Sequence, residues 1–396
     1  MQENQPQKVI QQNFTASYNY PVHFTQDIFS QENSLLKDLI APNIGNLPKK
    51  VLYIIDEQVV KHYSKLPDSI KSYHQTYRKS LVLVCPPMSI PGGEPAKNNP
   101  QYVEQIYKAV NDFGIDRHSF IIAIGGGALL DMVGFAAATA HRGIRHIRIP
   151  TTVLAQNDSA VGVKNGINMF GKKNFVGSFA PPFAVINDSS FLTKLPDRDW
   201  RSGIAEAIKV ALLKDAVFFA FIESTAQALA QRDIKTMEHL IYRCAQLHLQ
   251  HIATSGDPFE FGSSRPLDFG HWAGHKLEQL TQFELRHGEA VAIGIAIDTT
   301  YSHLMGYLPK KDWERVLHVL KELQLPTYHS IMDTHLNDNA HKQSVLHGLE
   351  EFREHLGGIL TIILLQSIGT PIQVNTIDYP TMKKAIKLLN FLNKKI

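Results

Sequence analysis

Short apolar runs alternate with amphipathic segments along the first half of the chain. The runs over 51–55, 81–85 and 120–124 end at turn residues, and segment 101–112 has the spacing of an amphipathic helix. Strands that are continuously apolar and separated by helices are typical of parallel sheets buried on both faces. The pattern predicts a doubly wound, mostly parallel α/β domain. Alternating polar and apolar residues over 8–24 predict an edge hairpin before it.

The second half favours helices. A break at Leu195-Pro196 separates the two patterns, which predicts an α/β domain over 1–195 and a mainly α-helical domain over 196–396. The predicted elements are helices over 203–231, 235–255, 270–281, 287–305 and 311–323, a late strand within 358–365 and a closing helix over 380–392.

Composition narrows the functional classes. A length of 396 residues suits two domains of about 150–200 residues each. A chain that is 44% hydrophobic and 19% charged is neither collagen-like nor largely disordered, and a net charge of +3 argues against general nucleic-acid binding. No apolar run reaches the ~18 residues of a membrane span. Two cysteines, Cys85 and Cys244, and the absence of a signal-peptide pattern predict a cytoplasmic protein.

A glycine run marks a candidate nucleotide site. Gly125, Gly126 and Gly127 directly follow an apolar strand and precede a helical pattern that contains Asp131. Glycines let a pyrophosphate approach the backbone, and a helix N-terminus offers free N–H groups. Asp56 ends another strand, where an acid can bind a ribose hydroxyl. A plain strand–helix turn and a turn aspartate are the structural alternatives.

Two polar, glycine-containing segments are candidate anion contacts. Segment 92–97 offers Glu94 and Lys97, and segment 150–179 reads as a long functional loop rich in glycine and lysine. Candidate phosphate contacts are Arg142, Lys164, Lys172, Lys173 and Asn174. The alternative for each lysine is an ordinary solvated surface charge.

The helical half contains a candidate metal site. Glu206 and Lys209 share one face of an apolar helix, where each charge needs a partner or a ligand. His271, His275 and His287 follow within seventeen residues of one another. Glu206, His271 and His287 could form a three-ligand zinc site with an open position, whereas the alternative is that the histidines only cap helices.

The chain resembles the sugar-phosphate cyclases, whose best-known member is 3-dehydroquinate synthase. The resemblance runs from about Val51 to Met305 and rests on several motifs in the family's order. They are IGGGALLDMVGFAAATAHRG, IPTTVLAQNDSAVGVKNGIN, GKKNFVGSF, LPDRDWRSGIAEAIKVALL, FGHWAGHKLE and LRHGEAVAIGIAI.

The resemblance implies a role for each matching residue. Glu206, His271 and His287 match the metal ligands, usually for Zn²⁺ and sometimes for Co²⁺. Arg142 matches an arginine that reaches the neighbouring subunit's phosphate, which implies a homodimer. The NAD positions match Asp56, Glu94, Lys97, Gly126, Gly127, Asp131, Thr151, Thr152 and Asp158. The substrate and phosphate positions match Lys164, Lys173, Asn174, Lys209 and His275.

The implied activity is that of a phosphate-eliminating lyase with catalytic NAD. In the family, NAD⁺ oxidises a secondary alcohol of a phosphorylated ketose and phosphate leaves by β-elimination. NADH then reduces the ketone again, and the enol product closes by intramolecular aldol addition. The metal polarises the alcohol oxygen, lysines balance the phosphate and His275 relays a proton.

The chain departs from 3-dehydroquinate synthase where that enzyme reads a carboxylate. A lysine of the family aligns with His248, and an asparagine aligns with Asp268 or Pro266. A late Asp-Lys-Lys motif is replaced around 352–354. His248 resembles the 2-epi-5-epi-valiolone synthases, so we expect a substrate without that carboxylate, such as sedoheptulose 7-phosphate.

Several alternatives to that substrate stay open. Arg265 or Arg353 could take over the carboxylate contact, and the protein would then be a 3-dehydroquinate synthase. The segment over 256–278 matches neither branch closely, so an uncharacterised branch is a further alternative. A metal-dependent polyol or alcohol dehydrogenase shares the predicted architecture but lacks the lysine-rich segment. A scaffold without activity is a further alternative, although it gives no reason to keep the Glu/Lys/His cluster.

Overall fold

A computed structural model describes residues 9–42, 47–254, 259 and 267–394. Within these residues, seven strands form one parallel sheet and two short antiparallel hairpins lie apart from it. The strands are β1 (Val22–Thr25), β2 (Lys49–Asp56), β3 (Leu81–Leu83), β4 (Met88–Ile90), β5 (Phe120–Gly125), β6 (Arg145–Pro150), β7 (Lys164–Met169), β8 (Lys172–Phe179), β9 (Ala184–Asp188), β10 (Ile362–Ser367) and β11 (Thr370–Val374).

Helices surround the sheet and dominate the second half. Those of the first half are α1 (Leu35–Ile40), α2 (Glu57–His62), α3 (Leu66–Thr76), α4 (Pro100–Asp112) and α5 (Gly127–Thr139). Those of the second half are α6 (Asp197–Lys214), α7 (Ala216–Ser224), α8 (Ala226–Ala230), α9 (Ile234–Thr254), α10 (His271–Leu280), α11 (His287–Leu304), α12 (Lys310–Glu322), α13 (His347–His355) and α14 (Tyr379–Asn393). No helix of the described residues is both long and apolar enough to cross a membrane.

The central strands confirm the predicted doubly wound sheet. The strand order is β1-β9-β6-β5-β2-β3, with β4 also beside β2, and all these pairs are parallel. All six residues of β5 are buried. Its alternate side chains enter two separate hydrophobic cores, one on each face of the sheet. Helices cover both faces because a strand without a polar face must be shielded on both sides.

Two predictions about local structure are wrong. The predicted hairpin over 8–24 is one edge strand, β1, which pairs with β9 about 160 residues later, while 9–21 contain no strand. The predicted loop over 150–179 contains a hairpin, because β7 and β8 pair antiparallel across a turn at Phe170 and Gly171. Four residues of β7 are buried, and the strand packs on α5 although it is rich in asparagine.

The helical half largely follows the prediction. The predicted helix over 203–231 is three helices, α6, α7 and α8. Asp215 separates α6 from α7 and accepts hydrogen bonds from the N–H groups of Val217 and Phe218. The late strand is β10, which pairs with β11, and neither β11 nor α13 was predicted. A large hydrophobic core joins α6 to α14. The domain boundary at 195 stays a prediction.

Candidate active site

The glycine run lies at the carboxyl edge of the sheet, where β5 passes into α5. Gly126 is the N-cap of α5, and no side chain of the described residues caps this helix, so its first N–H groups have no side-chain acceptor there. Thr151, which follows β6, donates its N–H to the Gly125 carbonyl at 3.0 Å. This hydrogen bond joins the end of β6 to the turn between β5 and α5. The geometry provides the N-terminal anion site that a pyrophosphate requires.

Gly126 differs from the two glycines beside it. A Cβ at Gly125 would lie 2.6 Å from Leu129, and one at Gly127 would lie 2.5 Å from the Ser159 hydroxyl. Among the described residues, a Cβ at Gly126 would meet only Thr152, at an ordinary 3.6 Å. Protein packing therefore explains two of the glycines, and the space beside Gly126 fits a group bound from outside.

Asp56 has a structural role at the same edge. Its carboxylate accepts a hydrogen bond from the Gln58 N–H at 2.8 Å and so caps α2. Burial raises the pKa of this carboxyl, although backbone N–H groups act in the opposite direction. Gly92 approaches so closely that a Cβ there would overlap the Asp56 carboxylate. Asp56 thus lies at the end of β2, where a ribose contact is expected, and one of its carboxylate oxygens is used to cap α2.

A polar network joins segment 92–97 to α5 and to the β7–β8 hairpin. The buried Lys97 ammonium lies 3.0 Å from the Asp131 carboxylate and also donates to the Asn174 side chain. Glu94 accepts from the Asn168 amide at 2.9 Å, and the Asn168 oxygen accepts from the Asn174 N–H. Four of the predicted NAD and substrate residues thus form one cluster, with Asn168 as a connecting residue.

The three predicted metal ligands converge from three helices. The Glu206 Oε1 atom lies 3.5 Å from His271 Nε2 and 3.4 Å from His287 Nε2. Each histidine turns its Nδ1 atom away, toward the Phe269 carbonyl at 3.1 Å or the Glu278 carboxylate at 3.1 Å. The three ligand atoms lie within 4.8 Å of one another. Two imidazole nitrogens and a carboxylate oxygen are the donor set of a catalytic zinc site.

Close helix packing brings these ligands together. A Cβ at Gly288 would lie 1.9 Å from the Ser202 carbonyl oxygen, so α11 crosses α6 directly beside His287. A Cβ at Gly294 would lie 2.0 Å from the Gly270 carbonyl oxygen, so the start of α10 is equally close to α11. Only glycine permits such approaches, and they place Glu206 between both histidines.

The electrostatics of the cluster demand a positive charge. Glu206 is fully buried, and its Oε1 atom receives no well-directed hydrogen bond from the described residues. Burial opposes its charge, but the Lys209 ammonium and both histidines hold the pKa of Glu206 well below its usual range. Burial would lower the pKa of His287, yet the Glu278 and Glu206 carboxylates raise it to about 10. A divalent cation satisfies the same demand, so the residues present fit a metal.

Two further contacts between polar side chains lie beside the cluster. The Lys209 Nζ atom lies 2.5 Å from Glu206 Oε2, and the neighbouring carboxylates of Glu206 and Asp158 raise its pKa against the effect of burial. Asp158 was predicted as a cofactor residue, and its Oδ1 atom lies 2.9 Å from His248 Nδ1. Asp268 also adds negative charge toward Lys209 and His271.

His275 and Lys173 lie at the open side. The His275 side chain is exposed, with its ring 5.3 Å from the His271 ring and 5.9 Å from the His287 ring, between centroids. Lys173 reaches over from β8, and its Nζ atom lies 3.1 Å from Glu278 Oε1. A substrate that approaches the cluster can therefore contact an imidazole and an ammonium.

Other predicted residues lie outside this cluster. Lys164 is exposed at the start of β7, and Lys172 lies over the Phe175 ring. Arg142 follows the C-terminal end of α5, whereas the glycine run lies at its N-terminal end. At a rise of 1.5 Å per residue, this helix is about 20 Å long. Arg353 is exposed on α13 and pairs with Glu350. Arg265 and Pro266 lie outside the described residues.

Glu278 and Asn168 were missed by the sequence analysis. Glu278 lies three residues after His275 and seven after His271, so the helical spacing of His-x-x-x-His-x-x-Glu was the available signal. Asn168 carried no such signal, because its role depends on the pairing of β7 with β8.

A glycine-rich turn at the carboxyl edge of a parallel sheet, together with a Glu/His/His cluster on helices, is typical of enzymes that use a nucleotide cofactor and a metal. Family comparison narrows this class. Residues 87–202 match the model of the 3-dehydroquinate synthase N-terminal domain, and residues 203–344 match that of its C-terminal domain. A 3-dehydroquinate synthase of Psychrobacter cryohalolentis is 34% identical over 92% of this chain and 93% of its own length. The chain belongs to the 3-dehydroquinate synthase family of sugar-phosphate cyclases, which confirms the resemblance.

Solved structures agree with this family. The 2-epi-5-epi-valiolone synthase of Streptomyces hygroscopicus subsp. jinggangensis, with NAD⁺ and Zn²⁺ bound, is 27% identical and aligns with a TM-score of 0.84 over 97% of this chain and all of its own. A 2-deoxy-scyllo-inosose synthase complexed with carbaglucose-6-phosphate, NAD⁺ and Co²⁺ shares the fold, with a TM-score of 0.74 at 23% identity over 93% of this chain and 96% of its own. These cofactors are the ones that the sequence predicts.

Proposed function

We propose that this protein is an NAD- and metal-dependent sugar-phosphate cyclase that converts a phosphorylated ketose into a carbocycle with release of phosphate. The observation that carries the proposal is the convergence of Glu206, His271 and His287 beside the exposed His275 and the Lys173 ammonium. A plain dehydrogenase has no need of a lysine at this place, because it eliminates no phosphate.

The predicted residues supply the binding groups. Glu206, His271 and His287 would hold the cation, and the glycine run with Lys97 and Asp131 would hold NAD. When bound, NAD⁺ would take up and return a hydride, and the cation would polarise a hydroxyl oxygen beside it.

The chain's own side chains provide the remaining chemistry. Lys173 offers positive charge to the phosphate, and the exposed imidazole of His275 can move a proton at its ring nitrogens. Lys164, at the start of β7, is the second lysine that the family resemblance assigns to the phosphate. Lys209 stays with Glu206 and balances the carboxylate that a cation shares.

We propose further that the substrate lacks a carboxylate at the 3-dehydroquinate-synthase position, as sedoheptulose 7-phosphate does. His248 stands where that enzyme has a lysine, and its Nδ1 atom lies 2.9 Å from Asp158 Oδ1, so this side chain already faces a carboxylate of the protein. A desolvated carboxylate needs charge-assisted bonds of ~1.5–3 kcal/mol each. Asp268 adds negative charge nearby, and Arg353 lies paired on the surface.

A second candidate is 3-dehydroquinate synthase itself. The observation that favours it is the name of the curated relatives, one of which is 34% identical over nearly the whole chain. The two candidates differ in one property that can be measured, which is the need for a carboxylate on the substrate.

Phosphate release separates the two candidates. We expect the metal-loaded protein to release phosphate from sedoheptulose 7-phosphate and to be at least ~10-fold less efficient with 3-deoxy-arabino-heptulosonate 7-phosphate. His248→Lys should shift this ratio toward the carboxylate substrate. The matched control is His239→Lys, which adds the same charge on an exposed face of α9. Efficient turnover of the heptulosonate by the unmodified protein would contradict the proposal.

We also propose that the protein works as a cytoplasmic homodimer in which Arg142 completes the partner's phosphate site. Supporting this, Arg142 is exposed at the far end of α5 from its own glycine run, and both cysteines are free. Co-expression of inactive Arg142→Ala and Glu206→Gln chains should restore activity in about a quarter of the sites, because each mixed dimer holds one intact site. Mixed dimers without activity would oppose the shared site.

A further inference from the structure

Glu278 is a buried carboxylate on α10 that connects two parts of the site. The side chain is only 5% exposed, and its two oxygens face different partners. Oε2 lies 3.1 Å from His287 Nδ1, and Oε1 lies 3.1 Å from Lys173 Nζ. One partner belongs to the Glu/His/His cluster and the other to the β7–β8 hairpin.

The contact with His287 decides how that imidazole is presented. A carboxylate can only accept, so a proton stays on Nδ1, and Nε2 is the nitrogen that can present its lone pair to a cation. Nε2 is the atom that faces Glu206 Oε1 at 3.4 Å. Without the acceptor, the ring could rotate or exchange tautomers, and its nitrogen would be presented to a cation only part of the time.

The contact with Lys173 acts on the other side of the cluster. Lys173 is held between Glu278 and the Phe283 ring, whose centroid lies 5.5 Å from Nζ. The ammonium therefore stands at a fixed place on a strand that otherwise has an exposed and intermediate pattern. It also places a positive charge beside His275, Glu278 and His287, a second group with the spacing of metal ligands, and so disfavours a second cation there.

We propose that Glu278 is a positioning residue that presents His287 Nε2 to the metal and holds Lys173 for the substrate phosphate. This inference rests on the metal site of the proposed function. One carboxylate would thus orient a metal ligand and a phosphate-binding lysine of the same reaction. Loss of Glu278 should therefore weaken both metal affinity and phosphate recognition.

The test is a zinc titration of Glu278→Gln in competition with a chromophoric chelator, without substrate. We expect one zinc per chain and an affinity about 10- to 100-fold below that of the unmodified protein. The Co²⁺ form should show an altered visible spectrum, and the KM for the phosphorylated substrate should rise. Glu278→Asp keeps the charge on a shorter side chain and should fall between the two.

Glu351→Gln is the matched control. Glu351, on α13, also contacts one histidine and one lysine: its Oε1 atom lies 3.1 Å from His347 Nδ1 and 2.5 Å from Lys276 Nζ. Lys276 is buried and lies on the face of α10 opposite to Glu278. Its loss removes the same kind of triad and should leave zinc affinity and the Co²⁺ spectrum unchanged. Thermal unfolding of the metal-free proteins shows whether each variant is folded.

The outcomes separate this inference from the proposed function. Unchanged zinc affinity in folded Glu278→Gln, with zinc lost in Glu206→Gln, would overturn the inference alone. A second zinc that disappears with Glu278→Gln would also overturn it, since Glu278 would then be a ligand. Full zinc binding by Glu206→Gln would instead refute the proposed metal site and the inference with it.

Discussion

The two halves of the molecule build their parts of the site by different means. At the edge of the sheet, the cofactor site is formed by the backbone: the N-terminus of α5 lacks a side-chain cap among the described residues, and there is open space beside Gly126. In the helical half they are side chains from three helices, held together where Gly288 and Gly294 let backbones touch. A site made of backbone can be lost without loss of stability, whereas a site made of crossing helices depends on the packing that also stabilises the fold.

The largest effect is expected from Glu206→Gln. The amide keeps the shape of the side chain but removes the charge that holds Lys209 and attracts a cation. Metal affinity should fall by more than the ~100-fold that loss of an outer hydrogen-bond partner costs, and activity should fall with it. Elemental analysis and phosphate release measure both. Glu223→Gln, which breaks only the partly exposed pair with Arg315, is the control and should keep its metal.

A valine at Gly126 should affect cofactor binding alone. Gly126 has a φ of −74°, so a side chain causes no left-handed strain there. The branched side chain would still fill the open space beside the helix N-terminus. We expect NAD affinity by calorimetry to fall at least ~10-fold, with an unchanged melting temperature.

The contrasting substitution is Gly288→Ala. A Cβ there overlaps the Ser202 carbonyl oxygen, so α6 and α11 must separate, at a cost of about 1–3 kcal/mol in the free energy of unfolding. Gly126→Ala should cost almost nothing. If the two alanine substitutions lowered the melting temperature equally, the distinction between a backbone site and a packing site would be wrong.

The smallest effect concerns Asp298, a buried residue of α11 that contacts the start of α10. It accepts from the Gly270 N–H at 2.9 Å and the Trp272 indole at 2.8 Å, and burial raises its pKa to about 7 against both hydrogen bonds. Between about pH 4 and pH 7 the folded state holds a proton that the unfolded state has lost. This group therefore favours folding at low pH, and its contribution is lost as pH rises through 7.

Asp298→Asn should remove that contribution. In urea unfolding from pH 4.5 to 7.5, the unmodified protein should lose on the order of 1–3 kcal/mol more stability with rising pH than the variant does. The amide cannot accept from both donors, so the variant should also be less stable at pH 4.5. Parallel pH profiles would show that Asp298 does not titrate in this range.

How much the sequence could predict follows the same division. The strand ends and the glycine run are local in sequence, so β5, α5 and the parallel sheet were predicted and confirmed. The β7–β8 hairpin was missed because asparagine and lysine dilute the apolar alternation on both strands. Pairing of β1 with β9 is remote in sequence, so no local pattern could show it.

In the helical half, the residue types and their closeness in sequence indicated Glu206, His271 and His287 as a possible metal site, and the family motifs supported that choice. Helical spacing could bring the two residues of one helix to one face, but not three helices to one point. The partners of these residues depend on that convergence. Glu278 beside His287, and Asp158 beside His248, became visible only in three dimensions.

The most direct test of the account is one reaction followed by two signals. The protein, loaded with zinc and NAD⁺, is incubated with sedoheptulose 7-phosphate, while NMR follows phosphate and carbon products and absorbance follows NADH. The account predicts one phosphate for each carbocycle formed and no accumulation of NADH, because the cofactor is returned in every turnover. NADH that accumulates while the substrate keeps its phosphate would contradict it and indicate a dehydrogenase.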